Sequence, residues 1–317
     1  MVTRLHEYAA KRLLWAIPVL LLVSIIVSWM VRLVPGDPAI IMLGSDATQE
    51  QIMAVRDQMG LDEPFVIQYV QYMTGVVQGD LGVSPLDNRV VTTAIISRLP
   101  ATIFVTISGF IVSLLIAIPA GTISALRRGT IWDDLGLTFG LLGVSIPNFW
   151  LGIVLLLVFG VSLGWFPVTG YVSPLEDPVA GIKYMILPGI TLGTAMAAIV
   201  TRMLRSELLE EIRQDYLNAI RMKGVSELTV LGHAMKNAFI PVITVIGLQF
   251  GYLLGGSVII EEVFTIPGMG RLLVNRIRDR DYVMIQGIVL VYTTFFVLVN
   301  LVVDLTYFYL NPRLRDE

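Results

Sequence analysis

The chain of 317 residues is 55% hydrophobic and only 15% charged, with a mean hydropathy of +0.77, against about 25% charged in an ordinary soluble domain. This balance predicts a polytopic membrane protein. The net charge of −3, without a Lys/Arg block, gives no footing for nucleic acid, and the absence of cysteine excludes disulfides, thiolate nucleophiles and cysteine metal sites.

Apolar runs of about 18 residues or more are spanning candidates, because a helix rising 1.5 Å per residue needs about 20 to cross the hydrocarbon. Six are predicted: Leu13 to Val31, Leu99 to Leu126, Leu135 to near Gly164, Tyr184 to Thr201, Asn237 to Ile260, and Tyr282 to Val303, the last continuing past Asp304 to about Leu310. The first has no small-residue cleavage site after it and reads as a retained span. Pro18, Pro119 and Pro147 each free a backbone carbonyl that a packed bundle must re-satisfy.

Between spans one and two, Leu33 to Pro38 is a breaker cluster. Ser45 to Thr48 precede a capped helix over Gln49 to Gly60, with Ile52, Val55 and Met59 on one face. Phe65 to Val77 reads as an aromatic-rich amphipathic helix suited to the outer interface, ended by Gly79 to Gly82. Pro100 suits the first turn of span two. Further on, Arg127 to Thr130 turn the chain, and Asp133 and Asp134 put negative charge at the positive end of the next helix. The aromatic cluster from Gly164 to Tyr171 fits an interface belt.

Orientation follows from Lys and Arg. With both termini inside, thirteen fall inside, from Arg4, Lys11 and Arg12 through Arg127, Arg128, Arg202, Arg205, Arg213, Arg221, Lys223 and Lys236 to Arg313 and Arg315. The bias is diluted by Arg271, Arg276, Arg278 and Arg280 between spans five and six.

Residues 206 to 241 interrupt spans four and five with a stretch too polar for a bilayer and too regular for a loop. Glu207, Glu210 and Glu211 extend span four. The apolar positions Leu217, Ile220, Val225, Leu228 and Leu231 are helical in spacing, broken at Gly224, which permits φ > 0. Ser226 is the N-cap of the second helix. Small Ala219 and Gly224 leave backbone open to another protein's surface.

Here a resemblance enters. Asn218-Ala219-Ile220, Gly224 and a downstream Pro241 resemble the EAA loop of binding-protein-dependent ABC importer permeases. Asp215-Tyr216, Lys223-Gly224, Ser226 and the His233-Ala234 and Asn237-Ala238 pairs are similar to the form in its dipeptide/oligopeptide/nickel subfamily. Asn218 stands where the general motif has an acid, and Ile220 where it has its second Ala. Along the rest of the chain, Arg32 to Pro38, Arg98 to Thr102, Ser145 to Trp150, Leu187-Pro188, Gly255 to Val258, Glu261, Phe264, Pro267-Gly268, Gly270 and Arg280 to Tyr282 look like that subfamily's B-type subunit.

The resemblance implies an all-α membrane protein of the type I ABC importer fold, with six transmembrane helices and an extracytoplasmic helical loop after the first. It divides the chain into 1–98 (first helix plus loop) and a five-helix permease core, 99–317. It implies no catalysis and no cofactor in this chain, ATP and Mg binding to partner subunits. The implied partners are a homologous second permease, two cytosolic ATPases, an extracytoplasmic substrate-binding protein and lipid, at a prokaryotic inner or plasma membrane. The absence of a Gly-x-x-x-x-Gly-Lys-Ser/Thr loop from the sequence agrees with an ATPase on another chain. The implied docking residues are Asp215, Tyr216, Asn218, Ala219, Lys223, Gly224, Ser226, Glu227, His233 and Asn237, with His233 read as an interfacial polar contact.

Gate candidates are Gly251, Gly255, Gly256, Ser257, Glu261, Pro267, Gly268 and Gly270. The glycines of span five fit either close helix packing or a pore lining. Glu261 and Glu262 sit near the end of that span, where a carboxylate costs little. The expected cargo is a peptide, with nickel chelates, glutathione or oligosaccharides as alternatives. Two other classes find less support: an intramembrane enzyme lacks a His-Glu-x-x-His or other buried set, and a secondary transporter lacks mid-membrane ionisable residues and an inverted repeat.

Overall fold

The computed structural model describes residues 2–33, 36–44 and 46–310. Val34, Pro35, Ser45, Arg313 and Arg315, used in the readings above, lie outside the described residues. The helices in chain order are α1 (Val2–Leu33), α2 (Pro38–Leu43), α3 (Gln49–Met59), α4 (Phe65–Val77), α5 (Val91–Leu126), α6 (Ile131–Ser145), α7 (Asn148–Leu155), α8 (Pro178–Glu211), α9 (Asp215–Met222), α10 (Glu227–Val263), α11 (Met269–Asp279) and α12 (Tyr282–Leu310). A π-helical turn, Leu156–Ser162, continues α7.

Five helices are long and apolar enough to cross a membrane, in α1, α5, α8, α10 and α12. The sixth expected span is not one continuous helix: α6 and the α7–π segment meet at 104°. Pro147 accounts for the break. Its ring drives Ile146 out of the helical region, to φ −82° and ψ 123°, and Pro147 then starts α7. Pro18, Pro188 and Pro241 sit inside helices that continue through them. Span two begins earlier than expected, at Val91, so Pro100 lies inside α5 and not in its first turn.

The chain packs as two compact units. One joins Ile103–Ile266 with residues 2–9 and 299–310, and the other joins Ala10–Thr102 with Pro267–Leu298. In the second unit, α3 has the expected capping box: Thr48 accepts from the Gln51 N–H at 3.3 Å, and the Gln51 side chain accepts from the Thr48 N–H at 2.9 Å. Arg56 pairs with Asp37 and Asp62, fixing α3 to the cap of α2.

Helix α4 does not lie across the end of α1 but runs back along it. Phe65 meets Trp29 edge-on at 4.7 Å, and the Tyr69 hydroxyl is 2.8 Å from that of Ser24. Beside it, Leu81, Val91, Ile95, Met269, Leu272, Met284 and Ile288 form a buried core. Arg276 is buried there and donates to Asp87 at 2.6 Å and to Asp281 at 3.2 Å, while Ser84 donates to Asp281 at 2.6 Å. One of the four arginines that blur the charge bias is therefore neutralised, by Asp281 of its own loop and by Asp87 of the loop before α5.

In the first unit α8 is the central element, with α6, α7 and α10 packed on it. A Cβ on Gly193 would come within 2.5 Å of the Gly109 carbonyl oxygen, so α5 and α8 touch backbone to backbone. At the start of α6, Asp133 takes two hydrogen bonds from Arg205 of α8, at 2.5 and 2.7 Å, plus one from Ser124 at 2.6 Å and one from the Gly129 N–H at 3.0 Å. Its carboxylate is thus spent on a half-buried pair as well as on the turn before the helix.

Candidate functional site

The 206–241 segment forms a helix–turn–helix within the first unit. α8 ends at Glu211, three residues pass, α9 runs from Asp215 to Met222, and α10 opens at Glu227. Gly224 has φ +76°, the left-handed conformation the turn needs, and a Cβ there would meet nothing within 4 Å. Ser226 caps α10, accepting from the Thr229 N–H at 3.3 Å.

One face of this hairpin is buried. Leu217 packs with Ala125, Leu208, Val230, Ala234 and Ala238, and Ile220 and Leu231 flank them. The apolar residues between the helices do the opposite: Met222 is 82% and Leu228 81% exposed, with Val225 also exposed. Val225 and Leu228, which share the helical spacing of the buried set, thus belong to the outward face. The signal that separates them is a second spacing of four on α10, at Val230, Ala234 and Ala238.

Asp215, Tyr216, Asn218, Ala219, Lys223, Gly224, Ser226, Glu227, His233 and Asn237 are all exposed on this one segment. Several of their polar atoms are used inside the chain. Arg221 donates to the Asn218 side-chain oxygen at 3.1 Å and pairs with Glu227 at 3.5 Å. The Tyr216 hydroxyl donates to Glu211, and the Asn237 amide donates to Glu211 and to the Tyr216 oxygen, each at 2.9 Å. Partial burial and the Glu211 carboxylate together push the Tyr216 phenol up to about 12. Glu211 and Arg221 are site residues that spacing alone misses, because their partners lie on other elements or across the turn.

The gate candidates fall in different units. In the first, Gly255 faces open space, whereas a Cβ on Gly256 would stand 3.0 Å from Leu192 of α8, so Gly256 is a packing glycine. Gly251 is buried; Ser257 is buried and donates to the Leu254 carbonyl at 2.8 Å. Glu261 is fully buried, which corrects the expectation of a carboxylate placed where its charge costs little. In the second unit, Gly268 precedes α11, Gly270 is buried, Pro267 is half-buried, and the buried Met269 donates its N–H to Thr102 at 2.8 Å. That turn is anchored in a core and is not a free loop. Among the described residues no group of three or more His, Asp or Glu could hold a metal ion.

Comparison with known proteins adds a family. Residues 117–316 match the model described as "Binding-protein-dependent transport system inner membrane component", and residues 5–106 match the corresponding N-terminal model. The chain is 44% identical over 310 residues to the glutathione transport system permease protein GsiC of Salmonella paratyphi A, covering 98% of this chain and 99% of that protein. The protein of the same name from Escherichia coli K12 is 43% identical over the same lengths.

Proposed function

Because the chain belongs to the family of binding-protein-dependent transport system inner membrane components, the permease subunits of ABC importers, we propose that it forms half of a pore for glutathione or similar short peptides. The cargo reading rests on the two glutathione permeases that match over almost their whole length. A peptide pore remains the wider class, since glutathione is itself a tripeptide. A second, homologous permease completes the pore, and an extracytoplasmic binding protein delivers the cargo.

Energy enters through the 206–241 segment, which docks one of two cytosolic ATPases. The observation that carries this is the outward apolar set Met222, Val225 and Leu228 around the open Gly224 turn, held on a buried face that does not need it for folding. Large apolar side chains left exposed on a polar segment mark a protein contact. The ATPases close on ATP and bind one state of the pore better than the other, which alone lets them shift it. Both termini then lie on the ATPase side, with α2 to α4 towards the binding protein. In chain order, residues 1–98 are the helix-plus-loop part and 99–317 the permease core.

The docking test is Leu228→Glu in cells expressing the whole operon. The variant is expected to reach the membrane yet lose the ATPase on purification, and undiminished recovery of the ATPase would remove the docking assignment. The cargo test is ATP-driven uptake by the reconstituted importer, offered glutathione, a dipeptide series and a nickel chelate in competition. Glutathione failing to compete would return the cargo to the other classes.

A further inference from the structure

We infer that Glu211, Tyr216 and Asn237 are positioning residues that lock α9 to α8 and α10, so that a displacement of the docking segment moves both long helices together. This rests on the docking role proposed above and deepens it. The three side chains come from three places: the last residue of α8, the first turn of α9, and the third turn of α10. Tyr216 donates to Glu211, and Asn237 donates at 2.9 Å to the same carboxylate oxygen and at 2.9 Å to the Tyr216 oxygen. Three polar groups close a triangle.

The need for such a lock follows from what else joins the helices. Helix α9 hangs between two hinges, residues 212–214 on one side and Lys223–Ser226 with the left-handed Gly224 on the other. The apolar core under it consists largely of small or aliphatic side chains, Ala125, Leu208, Leu217, Val230, Ala234 and Ala238. Apolar contact is non-directional and lets such surfaces slide. The ion pair across the second hinge, Arg221–Glu227, has a 78% exposed carboxylate, and exposed pairs hold little. The triangle's donors are exposed as well, but its acceptor, Glu211, is half-buried and takes both of them on one oxygen, and hydrogen bonds are directional where apolar contact is not. The triangle spans the first hinge and reaches past the second, since Asn237 lies 21 residues beyond Tyr216. It therefore fixes the angle of α9 against both neighbours at once. It also means that the polar atoms of Tyr216 and Asn237 serve the chain itself before any partner.

The test uses the assembled importer in lipid. The chain has no cysteine, so Gln214→Cys at the cap of α9 and Lys236→Cys on α10, both exposed, place one pair of spin labels across the triangle once cysteines of the partner subunits are replaced. With the lock intact the label distance is expected to be the same with and without ATP. In Glu211→Ala and in Asn237→Ala it is expected to shift on adding ATP by about 5 Å, one helical turn. Glu211→Gln keeps the acceptor oxygen and is expected to behave as the unsubstituted protein, which a role for the charge would not allow. An ATP-dependent shift in the unsubstituted protein, no shift in the alanine variants, or a shift in Glu211→Gln each overturns the inference. So does loss of the ATPase from Asn237→Ala, which would make Asn237 a docking contact. An unsubstituted complex that captures no ATPase overturns the docking reading itself, and that failure shows before any label is read.

Discussion

Single residues divide by whether their reason is local. Gly224 and Ser226 were legible, because a left-handed turn and an N-cap are made within four residues. Asn218 gains a reason from the structure: it accepts from Arg221 of its own helix, where an acid would have made a charged pair. Gly224→Ala is expected to cost about 1–2 kcal/mol through handedness alone, and Gly224→Trp to spare membrane insertion while abolishing uptake. Normal uptake by the tryptophan variant would sink the docking role. Asp133 and Arg205 lie 72 residues apart, and no spacing joins them. Removing Asp133 leaves a half-buried Arg205 without its partner, so Asp133→Ala is expected to lose about 1–3 kcal/mol, read as a lower thermal midpoint in detergent.

Asp87 gives a pH dependence. Burial raises its carboxyl, but hydrogen bonds from Arg276 and the Arg89 N–H outweigh that and leave it below the usual carboxylate range. A lowered folded value means that the contribution is complete above the unfolded pKa of about 3.9 and is lost as pH falls through the folded value beneath it. Hydrogen exchange around residues 84–91 should therefore be steady from neutral pH down to about 5 after correction for intrinsic rates, and loosen below about 4. Asp87→Asn should remove that step; a loosening that begins near neutrality would point to another group.

Elements were legible where their ends carry signals and not where tertiary packing extends or bends them. The capped α3 and the bounds of α4 read directly from Thr48, Gly60, Phe65 and Gly79. The course of α4 along α1 did not, because it depends on Tyr69 and Phe65 finding Ser24 and Trp29 some 40 residues earlier. The first turns of α5 were missed for a similar reason: Val91 to Arg98 is too polar to count as a span, and Val91 and Ile95 are made helical by the core they enter. Pro147 was visible as a break in hydrogen bonding, but a 104° bend needs the packing of α6 and α7 on α8 to hold it. At the start of α10 the cap is separable from the rest: Ser226→Ala should cost about 1 kcal/mol, seen as faster exchange of the Glu227 to Val230 amides with α9 unaffected.

For the molecule as a whole, the all-helical membrane class and the family were legible, since composition and a string of short motifs along the chain determine both. The grouping into two units was not, because each is assembled from stretches far apart in sequence. The proposed topology makes one prediction at this scale. Cysteines placed at exposed Met222 and at exposed Val66 should be labelled from opposite sides of sealed vesicles, and labelling of both from the same side would break the assignment of spans.

The buried arginine carries a consequence for how the chain is made. Asp87 and Arg276 are 189 residues apart, so on a ribosome the first waits through the synthesis of α5 to α10 before its partner emerges. Until then Ser84 and Asp87 have no Arg276 and no Asp281 to meet, and the stretch around α3 and α4 is an unfinished part of its unit. The last loop therefore acts as the proof that the chain is complete. Arrested nascent chains that stop short of residue 276 should be cut by protease within residues 38–90, and chains released past α12 should resist it.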